Sequence, residues 1–436
     1  MRKILLVGGG AREHAIAVAI KKSSAQTQLV VFAPSINPGI RELATDYQVG
    51  ELKSNTPIVS YAISQQVDWA IVGPEAPLAS GLVDVLEQVG IKSIGPAKQL
   101  AQIESSKSFA RQLLLEYKIS GQPEFKIFLT LEGVEDWLKH LRGSFVIKPD
   151  GLTSGKGVKV AGDHFNNPAQ GLAIIKDLID RGQPVIIEEK LVGQEFSLMS
   201  LVDGQHLVHL PVVQDHKRAL AGDLGPNTGG MGSYSLANFS LPFLEPEDIA
   251  AAQKINESTA LALKDKSGKS YKGVLYGGFM ATKNGVKLIE YNARFGDPEA
   301  MNVLALLKTD FIDICFNLLQ GSLDKIKVEF EPLATVCKYV VPEGYPDHPV
   351  KDQKIDVSRV DQNKVNIYYA AVNQKENGLY LTGSRAVALL AKHADLYQAE
   401  KIVEQEINKI QGPVFHRQDI GTLPLIQKRI KNMEQL

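Results

Sequence analysis

Four apolar residues, Ile4-Leu5-Leu6-Val7, break without a spacer into Gly8-Gly9-Gly10, and a stretch suited to a helix follows at residues 13–21. A short, fully apolar run ended by glycines reads as a buried strand, and a helix directly after it must fold back over a sheet. The unit recurs. Residues 29–32 form a second apolar run ended by Pro34, and residues 69–72 a third ended by Gly73-Pro74. Residues 80–89 predict a helix, and Ser93-Ile94-Gly95-Pro96 closes the block. Strands alternating with helices predict a doubly wound parallel sheet covered on both faces, over residues 1–103.

At 436 residues the chain is too long for one compact core, and about three domains are expected. Lys and Arg number 48 against 49 Asp and Glu, so the total charge indicates no cationic face for nucleic acid. Cys315 and Cys337 show no CxxC or paired spacing, which fits a reducing compartment. The apolar run at 4–7 is too short for a signal-peptide core, and no stretch approaches the roughly 20 apolar residues that cross a bilayer. A cytoplasmic protein with no membrane contact is expected.

The middle of the chain changes character. Residues 145–148 predict a short strand that enters the glycine-rich run Gly151-Leu152-Thr153-Ser154-Gly155-Lys156-Gly157, and residues 158–161 resume a strand. A helix at 169–180, a strand at 185–190 and glycine- and proline-rich loops at 222–233 follow, then a strand at 287–292. The tail predicts strands at 335–341, 365–371 and 386–390 and a helix at 397–409.

Several runs carry chemistry. Gly8-Gly9-Gly10 after a strand lets backbone N–H groups approach a phosphate at a helix N-terminus. The dinucleotide fingerprint needs a small residue where Glu13 stands, so a single phosphate or phosphosugar is the better reading. A plain tight turn is the alternative. Asn37-Pro38-Gly39 and Gly73-Pro74-Glu75 follow the second and third strands, and loops at the carboxyl ends of parallel strands converge on one edge. Lys148 at a strand end and Lys156 in a glycine-rich loop suit nucleotide phosphates, although the run is not a P-loop. Val185-Ile186-Ile187-Glu188-Glu189 ends a strand in two acceptors suited to adenine and ribose.

The most specific run is Leu288-Ile289-Glu290-Tyr291-Asn292-Ala293-Arg294-Phe295-Gly296-Asp297-Pro298-Glu299. Strand alternation predicts Glu290 and Asn292 on one face, with Ile289 and Tyr291 on the other. A carboxylate and an amide oxygen two apart suit Mg²⁺, which takes few protein oxygens. Arg294 is then spaced to clamp a carboxylate or phosphate in two bonds. The polar stretch 214–218 with 222–232 is expected to be a functional loop without a core role.

The order of GGGAREHA, NPG, GPEAPL, ESSKSF, KPDGLTSGKG, QDHKRA, GDLGPNTGGMGSYS and EYNARFGDPE resembles the phosphoribosylamine–glycine ligase family of the ATP-grasp superfamily, strongly from residue 1 to about 325. GPNTGGMG and NARFGDPE are specific to that family, whereas the lysines and acids are shared by ATP-grasp ligases generally. The resemblance implies an α/β chain, α+β in parts. It has an N-terminal doubly wound domain, a two-lobed ATP-grasp domain at 104–325 with a lid lobe at 124–194, and a small C-terminal α/β domain at 326–436. It implies a monomer that joins glycine to 5-phosphoribosylamine with ATP as cosubstrate and Mg²⁺ or Mn²⁺.

Residue by residue, the resemblance puts Lys107, Lys148 and Lys156 on ATP phosphates. Glu188, Glu189 and the backbone of Leu191 hold adenine, and Glu195 the ribose. Glu290 and Asn292 bind metal. Gly9, Gly10, Glu13, Asn37 and Gly39 line the phosphoribosylamine site with Glu75. Asp215, Lys217, Arg294, Asp297 and Pro298 line the reaction centre and the glycine site. Two departures stand out. The strand at 273–280 carries no acid, so a second metal ligand is expected from water or Asp223. Tyr368-Tyr369-Ala370-Ala371-Val372 stands where the family has Phe-His-Ala-Gly-Thr, which removes any histidine role there. Another ATP-grasp ligase or carboxylase, and a nucleotide-binding protein without catalysis, are the competing readings.

Overall fold

The computed structural model describes residues 2–152 and 157–436. Its N-terminal sheet has five parallel strands in the spatial order Asp46–Val49, Thr27–Ala33, Arg2–Val7, Trp69–Val72, Lys92–Ile94. Ile4 to Val7 are fully buried, as a central strand covered on both faces requires. The strand order reverses at Arg2–Val7, so the loops after it and after Trp69–Val72 open into one crevice. The helix expected at 80–89 is two helices, Glu75–Ser80 and Leu82–Gln88, hinged at Gly81 with φ 90°.

The middle region supplies two antiparallel sheets. One orders Phe125–Phe128, Val185–Glu189, Phe145–Pro149 and Lys159–Val160, and its helices Val134–His140 and Pro168–Asp180 close an apolar core of their own. The other orders Leu207–His209, Gly193–Val202, Gly273–Thr282 and Gly285–Asn292. The tail forms an antiparallel sheet around Ala334–Pro342, flanked by Val387–His393 and backed by the helix Leu396–Ile407.

Two features depart from expectation. The stretch at 214–235 is not a bare loop. Arg218–Leu220 pairs with Leu224–Asn227, and Gly232–Ser235 pairs with Ala334–Pro342, burying Met231 and Tyr234 completely. Apart from the lobe built on Phe125–Glu189, one apolar cluster runs through the whole molecule. The reason is the helix Glu299–Leu306, buried at every position, which packs on the helix Ala11–Lys22 on one side and on Ala334–Pro342 on the other.

Candidate functional site

Two adjoining cavities, of about 350 and 420 Å³, lie between the N-terminal crevice, the two middle sheets and the tail. Both are walled by Lys148, Glu188, Asp215, Lys217, Ile289 and Glu290. The smaller adds Glu75, Lys107, Asn292, Arg294 and Asp297, and the larger adds Glu189, Leu191 and Glu195. Thirteen of the expected site residues therefore meet in one space. Lys156 lies outside the described residues, and with it the centre of the glycine-rich loop.

Six expected residues do not line either cavity. Glu13 turns back so that Gly10 N–H donates to its Oε2 at 2.7 Å, and Arg12 Nε donates to its Oε1 at 2.7 Å. An internal carboxylate thus occupies the helix N-terminus that was expected to meet a phosphate. A Cβ on Gly8 would lie 2.8 Å from the Glu13 side chain, so the glycine run serves this close approach. Asn37 caps the helix Pro38–Leu43 by accepting from Ile40 N–H, and its amide donates to Gly9 O at 2.9 Å and Tyr369 O at 2.7 Å. Its donors are spent on the fold. Gly39 packs on the His14 ring, and Pro298 packs on Gly230.

The nucleotide side is organised by a buried ion network. Arg111 Nε and Nη2 donate to the two oxygens of Glu188 at 2.6 and 3.0 Å, and Lys148 Nζ sits 2.7 Å from Glu188 Oε2. Burial disfavours the Glu188 charge, but Arg111 and Lys148 outweigh it and pull the carboxyl down to about 2. Glu188, expected at adenine, lines the larger cavity and holds Lys148 in place, with both its oxygens on cationic partners. Lys148 Nζ also donates to Ile289 O at 2.9 Å, and Lys107 Nζ donates to Gly151 O at 2.6 Å. Burial lowers the Lys107 pKa, partly countered by Glu290. Glu195 Oε2 accepts from Lys217 at 3.2 Å, and Lys217 also pairs with Asp215 at 3.0 Å.

The strand Gly285–Asn292 breaks strict alternation. Gly278 faces Glu290 and Phe279 faces Leu288, so Ile289 is an extra residue in a bulge. Ile289 therefore lines both cavities beside Glu290, whereas Tyr291 borders the smaller one alone and its hydroxyl donates to Thr259 inside the core. Glu290 has no hydrogen-bond or ion-pair partner among the described residues. Among the described residues Asn292 Oδ1 accepts only from Arg294, at 3.1 Å. A free carboxylate beside an amide oxygen is a hard donor pair that fits Mg²⁺ or Mn²⁺, and no group of three His, Cys, Asp or Glu competes for an ion among the described residues. Asp223 does not complete that pair. It is held by Arg417 Nη2 at 2.8 Å and Arg429 Nη1 at 2.7 Å.

Arg294 Nη2 lies 2.9 Å from Glu104 Oε1, and its Nε lies 3.6 Å from Glu75 Oε2. That buried Nε has no hydrogen-bond acceptor among the described residues. Burial works against ionised Glu75, but Arg294 and Arg12 together pull its pKa down. Asp297 is gripped by the tail: Tyr339 donates to it at 2.6 Å and Arg385 Nη2 lies 3.2 Å away.

Sequence reasoning missed Arg12, Glu104, Arg111, Tyr276, Glu299 and Arg385, all of which line the smaller cavity. Arg12, Glu104 and Glu299 stand inside runs already singled out, so proximity to those runs was the available signal. Arg385 gave none. The tail lacks the family histidine, yet Tyr369 N–H donates to Nδ1 of His14 at 3.0 Å, and the His14 and Tyr369 rings stack at 5.8 Å.

Three models of the phosphoribosylglycinamide synthetase family match the chain: the N domain over residues 2–104, the ATP-grasp (A) domain over 105–300 and the C domain over 335–423. The chain is 47% identical over 434 residues to phosphoribosylamine–glycine ligase of Methanosarcina barkeri, covering 100% of this chain and 99% of that one. It is 46% identical over 443 residues to the Methanocaldococcus jannaschii protein of the same name, with the same coverage. Among solved structures, phosphoribosylamine–glycine ligase of Thermotoga maritima superposes with a TM-score of 0.80 at 28% identity, over 96% of this chain and 100% of that one. The biotin carboxylase domain of Hydrogenobacter thermophilus 2-oxoglutarate carboxylase, bound to MgADP, gives a TM-score of 0.72 at 15% identity over 99% and 94%, a likeness of fold.

Proposed function

The chain belongs to the phosphoribosylglycinamide synthetase family, and from that membership we propose how its two cavities divide the work. The reaction is the ATP-dependent joining of glycine to 5-phosphoribosylamine in purine synthesis. It gives glycinamide ribonucleotide, ADP and phosphate through glycyl phosphate. The observation that carries the division is the shared wall of Lys148, Glu290 and Lys217. Nucleotide in the larger cavity and the two acceptor substrates in the smaller would meet there.

Adenine and ribose then lie against Glu189, Leu191 and Glu195, and the phosphates reach Lys107 and Lys148. Lys156 joins them by resemblance alone. Glu188 orients Lys148. Glu75, Arg12 and Arg294 face the phosphosugar and glycine, while Gly9, Gly10, Glu13, Asn37, Gly39 and Pro298 shape the walls behind them. Glu290 and Asn292 would hold Mg²⁺ or Mn²⁺, which supplies charge neutralisation at the transferred phosphoryl group. The carboxylate of glycine attacks the γ-phosphorus, ADP leaves, and the amine of phosphoribosylamine displaces phosphate from the acyl carbon. Arg294 holds the carboxylate through its unpartnered Nε and its charge, and the lysines neutralise charge on the phosphates.

All these residues come from one chain, which supports a working monomer, and both cysteines are free and buried, which supports the cytoplasm. No helix among the described residues is long and apolar enough to cross a membrane. ADP release measured in a coupled assay is expected only with glycine, phosphoribosylamine, ATP and a divalent ion together. Full release with alanine in place of glycine, or without the phosphosugar, would overturn the assignment.

A further inference from the structure

Amide formation leaves one proton to be placed. As the amine nitrogen bonds to the acyl carbon and the carbon–oxygen bond to phosphate breaks, the nitrogen must shed a proton. A carboxylate that accepts it must face the cavity and must not already be neutralised by a cation. Five of the carboxylates in the smaller cavity fail that test. Glu75 and Glu104 pair with Arg294, Glu188 with Arg111 and Lys148, Asp215 with Lys217, and Asp297 with Arg385. Glu290 is the metal candidate.

Glu299 remains. It lines the cavity, is only 3% exposed, and has no cation within ion-pair distance among the described residues. Its Oε1 accepts from the Tyr276 hydroxyl at 2.8 Å. No hydrogen bond from another described residue reaches its Oε2, which lies over Gly296, where a Cβ would collide with it. It is also the first residue of the fully buried helix Glu299–Leu306, a rigid mount.

We propose that Glu299 accepts the proton lost by phosphoribosylamine as its amine attacks glycyl phosphate. The nitrogen–carbon bond forms, the carbon–oxygen bond breaks with its electron pair on the departing phosphate, the proton moves to Oε2, and Glu299 returns it to phosphate. The surroundings suit a base at neutral pH. Burial and the Asp215 charge push the carboxyl up to about 7, against the opposing pull of its own backbone N–H, Lys217 and Tyr276. Cys337 and Arg385 from the tail also face it among the described residues, and Arg12 on the packed helix Ala11–Lys22 lines the same cavity.

The inference rests on the glycyl phosphate route, and glycine-dependent ATP cleavage by the unaltered protein tests that route separately. The full chain is mixed with labelled ATP, glycine, Mg²⁺ and phosphoribosylamine made in place from ribose 5-phosphate and ammonia, and quenched within one turnover. Glu299→Gln is expected to cleave ATP within a few-fold of the unaltered rate and to form amide about 100-fold or more slowly. Its amide rate loses the acidic limb of the pH profile. Equal slowing of both steps, or of neither, overturns the proposal. Tyr276→Phe removes a hydrogen bond that favours the charged form, so it moves that limb to higher pH. A limb that stays in place in this variant overturns it even if Glu299→Gln fails to fold.

Discussion

At the scale of single residues, the site is a set of charges whose partners decide their roles. Glu188 and Glu299 are both 3% exposed, yet they titrate in opposite directions. Glu188 has two cations, so its contribution to stability is present above its unfolded pKa near 4.5 and is lost as the pH falls towards 2. Glu299 has none, so its ionisation lowers stability as the pH rises from about 4.5 to 7. Arg294 stands between these cases. It is partnered by Glu104 but keeps a buried Nε without an acceptor among the described residues, which points to a ligand oxyanion. Replacing its planar fork with one ammonium should remove a charge-assisted bond at a desolvated site, on the order of 2–4 kcal/mol of transition-state stabilisation. Arg294→Lys is therefore expected to lower turnover by about two to three powers of ten with ATP affinity little changed. Melting temperature, ATP binding and turnover on one preparation decide it: lost stability with retained turnover would reduce Arg294 to a loop-shaping role.

At the scale of elements, periodicity carried most of the argument and failed where a neighbour intervened. The apolar runs at 29–32 and 69–72 are strands because an uninterrupted apolar run is stable only with both faces covered. The bulge at Ile289 has no signature in its own residues. It arises because Gly278 and Phe279 on the paired strand leave no place for Ile289 in register, and Lys148 and Arg111 both bond its carbonyl. The stretch 227–233 is equally unreadable alone. Arg385 Nη1 donates to Gly229 O at 2.8 Å, Gly230 O at 3.1 Å and Asp297 O at 3.0 Å, tying that stretch to the NARFGDPE turn. Arg385→Ala removes the donor shared by three carbonyls, of which the Gly230 and Asp297 ones are partly buried and cost roughly 1–3 kcal/mol each when left unpaired. We expect a lower melting temperature and a glycine kcat/KM reduced about tenfold to a hundredfold. Nucleotide affinity should hold, since Lys148, Glu189 and Glu195 sit in other elements. Unchanged glycine kinetics would show that the strap is idle.

At the scale of the whole molecule, the tail is part of the site. Gly232–Ser235 pairs with Ala334–Pro342, and His14 and Asn37 both bond Tyr369. Ending the chain after residue 325 exposes an apolar edge strand and removes Arg385, so that piece is expected to aggregate rather than bind ATP. A soluble 1–325 piece with intact nucleotide affinity would refute this. The sequence by itself determined the parallel N-terminal sheet, the order of the ligase motifs and thirteen residues that meet in the cavities. These follow from local rules: apolar periodicity, turn glycines, and side chains whose chemistry is legible in a short run. Only the tertiary structure decided that Glu13 and Asn37 spend their polar groups on the fold, that Glu188 holds Lys148, and that Glu299, unlike the five acids paired with a cation, faces the cavity without one among the described residues. Each of those outcomes depends on which charge stands opposite, and Arg111, Tyr276 and Arg385 reach the site from parts of the chain far away in sequence.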